Sequence, residues 1–566
     1  MEFRWEVLNN HDSRTINEYA DQLNSSPVLA RILLNRGIAN IETARRFLKP
    51  ELSHLHDPFL LAGMQDAVER IAAAITNKEK ILIYGDYDVD GTTATSMLLL
   101  FFRNLGQDVG FYIPDRLLEG YGLSEKGMVF AKENGLDLII TVDCGITAVD
   151  EVKLANEFGI DVIICDHHQP AQDLPPAMAI LNPKREDCTY PFKELAGVGV
   201  AFKLLQALQR HLALDESTVM RFLGLVSIGS SADIVPLVDE NRVIVKHGLQ
   251  SLSEPKSIGL EALIDSSGLS DREIGTGQVV FVLAPRINAV GRMGDAGRAV
   301  RLLTSDNKQQ AKNIATILES ENRRRKSIDE ETFSQAFEII ESDFNPGEES
   351  FFVLHKQGWH PGVIGIVASR LVEKFYRPTL MIATDEKGLG RGSARSIAGF
   401  NIYEALKECE DLMVNFGGHK YAAGLTIEIE NIPLLREKLS QIAAKQLTDD
   451  MLKPKLSIDS EIRFHEIDGQ LIKLINRMAP FGPQNMRPLF LSKGLHVVGT
   501  PSVVGRNHLK LKVRQDGVIM DAIGFDLGEK IYRISPGEQD VEMVYIIDEN
   551  EYKGRKTIQL RVKDLR

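Results

Sequence analysis

The chain has 566 residues and a mass of 63.1 kDa, too long for one hydrophobic core and enough for roughly three to four domains. Its 66 Lys and Arg against 79 Asp and Glu leave a formal charge of −13, which argues against a histone-like or polybasic binder but leaves room for a local cationic groove. Four cysteines with no CxxC pair argue against a disulfide framework or a zinc ribbon. The start, MEFRWEVLNN, lacks the apolar stretch of a signal peptide, and no uninterrupted apolar run reaches about 18 residues. A cytoplasmic multi-domain protein, away from membranes, is expected.

In chain order, the first eighty residues read as a helical lead-in, with helix-like stretches at Ala44–Leu48 and Met64–Thr76 that end at the charged loop 77–80. The pattern then changes. Ile81–Tyr84 is a short apolar run closed by an aspartate-rich loop, and a helical run follows from Thr93 to Leu105. Val109–Ile113, Leu138–Val142 and Val162–Cys165 repeat the design, with Ala179–Leu181 as a further candidate. Strands spaced by helical segments predict βαβ units and a parallel sheet buried on both faces. Helices dominate from Leu195 to Phe337, and 305–340, free of Gly and Pro, reads as one long helix able to span between two domains. A second α/β pattern begins at Phe351–Leu354 and continues to Gln446. From Leu456 the chain is β-rich, with short strands at Leu489–Leu491, His496–Val498, Leu509–Val513, Met543–Ile547 and Ile558–Val562, which suits a small barrel.

The most informative segment is Tyr84-Gly85-Asp86-Tyr87-Asp88-Val89-Asp90-Gly91. Three carboxylates alternate directly after an apolar strand, and in an extended segment such side chains share a face. Anions gathered in that way repel, and a hard divalent cation is the common remedy. The bland alternative is an acidic loop with Asp90 as a helix cap. DxDxDG also matches part of a calcium loop, but no glutamate occupies the position such a loop needs, and a strand precedes the motif.

Two further strands end in the same chemistry: Leu138–Val142 runs into Asp143, and Val162–Cys165 into Asp166-His167-His168. Parallel strands place those ends along one edge, where a metal cluster can assemble. Asp233, in Ser230-Ser231-Ala232-Asp233-Ile234-Val235-Pro236, reads on its own as a turn residue. Mixed Asp and His ligation fits manganese or magnesium better than structural zinc. Cys144 and Cys165 flank candidate ligands and invite a zinc reading, but strand neighbours point to opposite faces, which favours buried packing.

The order GDYDVDG, TVDCG, CDHH and SADIVPL resembles the DHH phosphoesterase superfamily and, within it, the RecJ family of bacterial single-strand-specific exonucleases. The likeness runs from about residue 60 to the end. It implies an α/β protein: a lead-in over 1–60, a parallel-sheet DHH catalytic domain over 61–300, a connecting helix over 301–345, a smaller α/β DHH-associated domain over 346–450, and an OB-fold-like nucleic-acid-binding β-barrel over 451–566. It further implies that Asp88, Asp90, Asp143, His167 and Asp233 ligate metal, that Asp86 stands close enough to take part, that His168 contacts phosphate, and that Asp166 orients the histidines. The activity implied is 5′-to-3′ exonucleolytic hydrolysis of single-stranded DNA with two Mn2+ or Mg2+ ions, releasing 5′-mononucleotides in DNA repair and recombination. Two ions about 3.5–4 Å apart would activate a water and clamp both oxygens of an in-line displacement.

The second half narrows the substrate. Gly358-Trp359-His360-Pro361-Gly362 and Phe416-Gly417-Gly418-His419 are glycine-rich around single histidines, as backbone approach to phosphate requires, or as turns require. They resemble the DHH-associated domain, whose GGH loop faces the metal site, and this makes His360 and His419 substrate-contact candidates. Gly390-Arg391-Gly392-Ser393-Ala394-Arg395-Ser396 offers hydroxyl and guanidinium groups suited to a terminal phosphate, and the resemblance assigns the 5′ phosphate to Ser393 and Arg395. Arg116, Arg286 and, beside the latter, Asn288 resemble further contacts. From 286 to 326, ten Lys and Arg face four acids, a local net of +6. In the tail, Lys510, Lys512 and Arg514 alternate with Leu509, Leu511 and Val513, and Arg561 and Lys563 with Leu560 and Val562, which predicts a basic strand face over an apolar one.

Two rivals define what would count against this reading. A DHH oligonucleotide or cyclic-dinucleotide phosphodiesterase would need neither the long helix nor the β-rich tail. A silent scaffold of the replicative-helicase type would have lost its carboxylates, and here they are all present. A monomer is expected; single-strand-binding protein and a RecQ-type helicase are the partners that the family implies.

Overall fold

Apolar runs as continuous as those between residues 81 and 181 cannot leave a face in water. The structure, a computed structural model, describes residues 2–566 except 117, 256, 346, 553 and 554. In it those runs pair as a five-stranded parallel sheet, ordered Val109–Tyr112, Ile81–Gly85, Leu138–Val142, Asp161–Cys165, Ala179–Leu181. Alternate side chains enter different cores. Ile81, Ile83, Ile140 and Val142 pack against the helices Val89–Asn104 and Gly197–His211, while Leu82, Tyr84, Ile139 and Ile164 pack against Glu125–Glu133 and Val149–Glu157. The register pairs Gly85 with Val142, Val142 with Cys165 and Cys165 with Leu181. Four strands therefore end level, and the next residues, Asp86, Asp143, Asp166 and Asn182, emerge on one edge.

The chain folds into two units. One holds residues 9–322 and 459–566; the other holds 1–8 and 323–458. The long helix is Lys308–Asp343, displaced three residues from the expected span, and the division falls inside it. The larger unit contains the parallel sheet and a closed barrel. The ring runs Phe490–Val504, His508–Gln515, Val518–Gly524, Arg555–Leu565, Val541–Tyr552 and back to Phe490–Val504. Two short strands expected at 489–491 and 496–498 are one bent strand, with register shifts at 492/495 and 498/502 that turn it around the barrel. Val518–Gly524 was not anticipated, because Asp521 and Gly524 break its apolar pattern. The lead-in helices Ser13–Leu23, Pro27–Asn35 and Ile41–Leu48 share one apolar core with the barrel, through Ile32, Leu33, Phe47, Phe490, Leu511 and Tyr545 among others.

The smaller unit is a five-stranded mixed sheet, ordered Met413–His419, Ala422–Glu428, Leu389–Arg395, Thr379–Thr384, Phe352–Gln357. The helix Pro361–Phe375 covers one face through Val363, Ile364 and Val367, and Ile432–Gln446 covers the other through Leu435 and Leu439. The strand Arg4–Val7, also not expected, pairs in parallel with Lys455–Ile458.

One buried cation stitches the larger unit together. Arg242, 1% exposed, donates to the carbonyls of Phe47, Arg477, Met478, Ala479 and Pro480 at 2.8–3.2 Å, with its guanidinium stacked 4.0 Å from the Phe47 ring centroid. Burial pulls its pKa down to about 9, and the five acceptors are what keep a charge tolerable there. Replacing it by an apolar side chain of similar length takes the donor from the carbonyls of Phe47, Arg477 and Ala479, while Met478 and Pro480 keep Asn485 Nδ2 at 2.8 and 2.7 Å. Arg242→Met is expected to lower unfolding stability by about 3 kcal/mol, read as an earlier denaturant midpoint; an unchanged midpoint would show that water or backbone adjustment replaces the guanidinium.

Candidate metal centre

The acidic motif works by a different geometry from the alternation expected of it. Asp86 ends the strand Ile81–Gly85, Asp88 is the N-cap of the helix Val89–Asn104 with its Oδ1 accepting from the Gly91 amide at 3.0 Å, and Asp90 lies in the first helical turn. The capping role read for Asp90 thus belongs to Asp88. Asp90 is instead held from elsewhere: the amides of Gly197 and Val198, at the start of the helix Gly197–His211, donate to Asp90 Oδ2 and Oδ1 at 2.6 and 2.9 Å. That approach needs glycine at 197, where a Cβ would lie 2.7 Å from both Cβ and Oδ1 of Asp143.

The carboxylates converge on one imidazole. His167 Nε2 lies 3.1 Å from Asp143 Oδ1, 3.6 Å from Asp233 Oδ2 and 3.9 Å from Asp90 Oδ2. Candidate ligand atoms within 4.8 Å of one another form three groups: Asp143 with His167 and His168, Asp90 with His167 and Asp233, and Asp86 with Asp88 and Asp143. His167 is common to two groups and Asp143 to two, so the groups overlap as a pair of adjoining sites would. Asp143 sits at φ +62 and Ile234, directly after Asp233, at φ +61, left-handed backbone that non-glycine residues adopt at some cost and that clusters at functional sites.

The electrostatics follow from burial. Burial, reinforced by Asp88, pushes the Asp90 carboxyl up to about 7, and burial with the charges of Asp90 and Asp88 pushes Asp233 up to about 9. Asp86 and Asp143 are also driven well above the ordinary carboxylate range by burial and neighbouring acids. Burial holds His167 down to about 3, so its ring is neutral and Nε2 is a free electron pair aimed at the acids. Asp166 behaves oppositely. Burial opposes its charge, but the His168 ring and the amides of Ile146, His167 and His168 donate to it and pull it down to about 2. For His168, burial is outweighed by Asp166 Oδ1 at 2.7 Å from Nδ1, and the imidazole is held above its usual value.

The donor set fits hard divalent ions. Asp86 Oδ1, Asp143 Oδ1 and His167 Nε2 are buried with no hydrogen-bond donor, a condition that native structures avoid unless something satisfies the atoms. Carboxylate oxygens with one or two imidazoles suit Mn2+ or Mg2+. The zinc reading finds no geometric support: Cys144 and Cys165 are buried and belong to none of these three groups of candidate ligand atoms among the described residues.

The remaining expected residues take varied places. The Arg116 guanidinium lies 5.1 Å from the Tyr87 ring centroid, beside the acidic motif. Arg286 and Asn288 lie on the helix Ala284–Met293, where Arg286 pairs with Glu319 at 2.7 Å and donates to the Val282 carbonyl at 2.6 Å. In the smaller unit, His360 is the N-cap of Pro361–Phe375, its Nδ1 accepting from the Gly362 amide at 3.0 Å. Ser393 and Arg395 are two apart on one strand face, with Arg395 Nη1 donating to Ser393 Oγ at 3.1 Å. His419 is exposed at the end of the strand Met413–His419, so the GGH segment is strand rather than loop. Two residues were missed. The Tyr121 hydroxyl donates to the Asp143 carbonyl at 3.0 Å and lies 3.1 Å from His168 Nδ1; nothing local in Glu119-Gly120-Tyr121-Gly122 signals this. Asn182, fully buried, donates to the His168 carbonyl at 2.9 Å, and the strand-end rule that found Asp143 and Asp166 applies equally to it.

Comparison with known proteins agrees with this architecture. Residues 80–230 match the model of the DHH family, N-terminal domain, residues 348–445 that of the DHHA1 domain, and residues 458–564 that of the RecJ OB domain. The chain is 43% identical over 564 residues to the single-stranded-DNA-specific exonuclease RecJ of Bacillus subtilis, covering 99% of this chain and 70% of that one. It is 32% identical over 575 residues to the protein of that name from Escherichia coli, covering 98% of each. The crystal structure of RecJ from Thermus thermophilus in complex with Mn2+ superposes with a TM-score of 0.85 at 30% identity, over all of this chain and 79% of that one; the corresponding Mg2+ complex gives 0.79 at 28% identity. With full-length likeness to its members and all three of their domain types in order, the chain belongs to the RecJ family.

Proposed function

We propose that the protein is a metal-dependent exonuclease that degrades single-stranded DNA from the 5′ end and releases 5′-mononucleotides. The observation that carries this reading is the convergence of Asp90, Asp143 and Asp233 on His167 Nε2 within 3.9 Å, with buried oxygens left without donors. Asp88, Asp90, Asp143, His167 and Asp233 would hold two Mn2+ or Mg2+ ions, with Asp86 alongside; such ions supply a water of lowered pKa and neutralise charge developing on the phosphate. His168, whose charged form the Asp166 contact favours and whose side chain is 38% exposed, is placed to donate to a phosphate oxygen. Asp166 holds both imidazoles in orientation.

Ser393 and Arg395 are assigned to the terminal 5′ phosphate, and Arg116, Arg286, Asn288, His360 and His419 to further substrate contacts. Arg286 must exchange Glu319 for a phosphate to serve in this way, whereas His360 is left with Nε2 for a contact because Nδ1 is engaged as a cap. On the barrel, Lys510, Lys512 and Arg514 are exposed over buried Leu509, Leu511 and Val513, a basic row that suits a single strand passing outward. The Bacillus subtilis and Escherichia coli relatives, single-stranded-DNA-specific exonucleases, support the single-strand preference. Membership of DNA repair and recombination, work in the cytoplasm as a monomer, and contact with single-strand-binding protein or a RecQ-type helicase belong to the same reading; no described helix is long and apolar enough to cross a membrane.

The primary test is hydrolysis of 5′-phosphorylated single-stranded and duplex oligonucleotides with Mn2+. Single-strand degradation to mononucleotides, abolished by chelator and restored by Mn2+, is expected; chelator-resistant cleavage would overturn the metal reading, and cleavage confined to dinucleotides would favour a small-substrate phosphodiesterase. Asp143→Ala is expected to lower kcat by about a thousandfold or more while retaining oligonucleotide binding, measured by single-turnover kinetics beside a binding titration. Arg395→Ala is expected to reduce the preference for 5′-phosphorylated over 5′-hydroxyl ends by about tenfold to a hundredfold, the loss of one charge-assisted bidentate contact; an unaltered ratio would remove Arg395 from the assigned site.

A further inference from the structure

The smaller unit contains a close approach that the assigned roles do not explain. Gly365 is the fifth residue of the helix Pro361–Phe375, buried against the strand Leu389–Arg395. A Cβ built there would lie 2.7 Å from Ser393 Oγ and 2.9 Å from Arg395 Nη2. Contacts that short do not occur with real side chains, so the hydroxyl and the guanidinium rest on the helix backbone only because residue 365 has no side chain. Glycine inside a helix is less stable than alanine, so the position sacrifices helix stability for proximity.

The backbone around the pair is fixed, so only its side-chain tips can give way. Ser393 pairs in register with Met381 and Gly424, and Arg395 with Thr379 and Ala422, in the interior of the sheet. The Arg395 guanidinium is already turned back along its own strand, donating through Nη1 to Ser393 Oγ and to the Ala394 carbonyl at 2.7 Å. Its Nη2 is the guanidinium atom nearest the space above Gly365. The helix is fixed in turn by the His360 cap, by Trp359 Nε1 donating to Gln335 Oε1 at 2.9 Å, and by the Arg370–Asp329 ion pair at 3.0 Å. A methyl group at 365 can therefore be accommodated only by moving the guanidinium and the hydroxyl, the two groups assigned to the terminal phosphate.

We propose that Gly365 is a specificity-determining positioning residue: its missing side chain sets the Ser393–Arg395 pair at the depth and angle that read a terminal phosphate. The inference rests on the assignment of that pair to the 5′ phosphate. It identifies the helix backbone at 365 as the floor of that subsite, with a phosphomonoester as the ligand class.

The test compares kcat/KM for 5′-phosphorylated and 5′-hydroxyl single strands in the full-length protein carrying Gly365→Ala, Arg395→Ala, and both. Gly365→Ala is expected to reduce the phosphate preference by about tenfold, the scale of a sub-ångström misplacement of a positioning group. Its melting temperature should match or exceed that of the parent, because alanine is the better helix former. The double variant should lose no more preference than Arg395→Ala alone, since both act through one guanidinium. A Gly365→Ala protein with parental preference, or losses that simply multiply in the double variant, would overturn the inference while leaving the phosphate assignment standing. If Arg395→Ala itself keeps the parental preference, the assignment of the pair fails instead. Should Gly365→Ala melt earlier than the parent, the glycine serves packing rather than end recognition and the inference also fails.

Discussion

Everything in the larger unit is arranged around the repulsion among buried acids. Asp86, Asp90 and Asp143 are all less than 4% exposed; Asp90, Asp143 and Asp233 crowd around a single neutral imidazole, and Asp86 is grouped with Asp88 and Asp143. Two unit charges about 4 Å apart at an effective dielectric near 20 repel by about 4 kcal/mol, so a cluster of this kind is tolerable only beside compensating positive charge. The fold supplies part of it as oriented dipoles. The helix beginning at Gly197 gives two amides to Asp90, and the segments after two neighbouring strands give three amides to Asp166, those of Ile146, His167 and His168. It stops short at Asp86 and Asp143, where buried oxygens keep no donor, and divalent ions are the counter-charge whose size and preference for oxygen match what is left.

That cluster was legible in the sequence because a parallel sheet converts strand ends into neighbours. Continuous apolar runs marked the strands, and the polar residue after each run was the one delivered to the common edge. The reasoning failed where the local geometry was not extended. The acidic motif crosses from strand to helix, so Asp86, Asp88 and Asp90 meet through a turn and a cap, and Asp90 depends on amides more than a hundred residues away at 197 and 198. No local pattern announces such a partner. The same limit explains the barrel: its strands bend at register shifts, and one strand was split in two by the irregularity that closes the ring.

Charge runs were the least transferable signal. The basic stretch from 286 to 326 carries a local net of +6, but Arg286 pairs with Glu319, Arg298 and Arg301 with Asp295, and Lys308 with Glu261. Those cations are partly neutralised within the fold; the exposed pairs of Arg298, Arg301 and Lys308 contribute little to stability, whereas the Arg286–Glu319 pair is largely buried. The barrel row fared better because alternation along a strand separates faces by geometry. Lys510, Lys512 and Arg514 are exposed whatever the neighbours do, and Lys512 meets an acid across the ladder, Asp521 at 3.7 Å.

Asp233 shows how a ligand candidate that sits on no strand end can still be held at the site. It terminates the helix Leu223–Ala232 and is followed by a short loop into Asp239–Ser251. That second helix is anchored by two buried ions of opposite sign. Glu240 is fully buried, pairs with Lys203 at 2.6 Å, and accepts from the Tyr190 hydroxyl at 2.6 Å and the His56 amide at 2.9 Å. Arg242 is held by its five carbonyls. Between them Asn241, also buried, donates to the Pro236 carbonyl at 3.1 Å, and the Leu237 amide donates to the Pro483 carbonyl at 2.9 Å. Buried ion pairs of this sort add little net stability over apolar packing, so their value here is positional. They remove the alternatives for the loop 233–238, and with them the freedom of Asp233 to retreat from the acids it is forced to face.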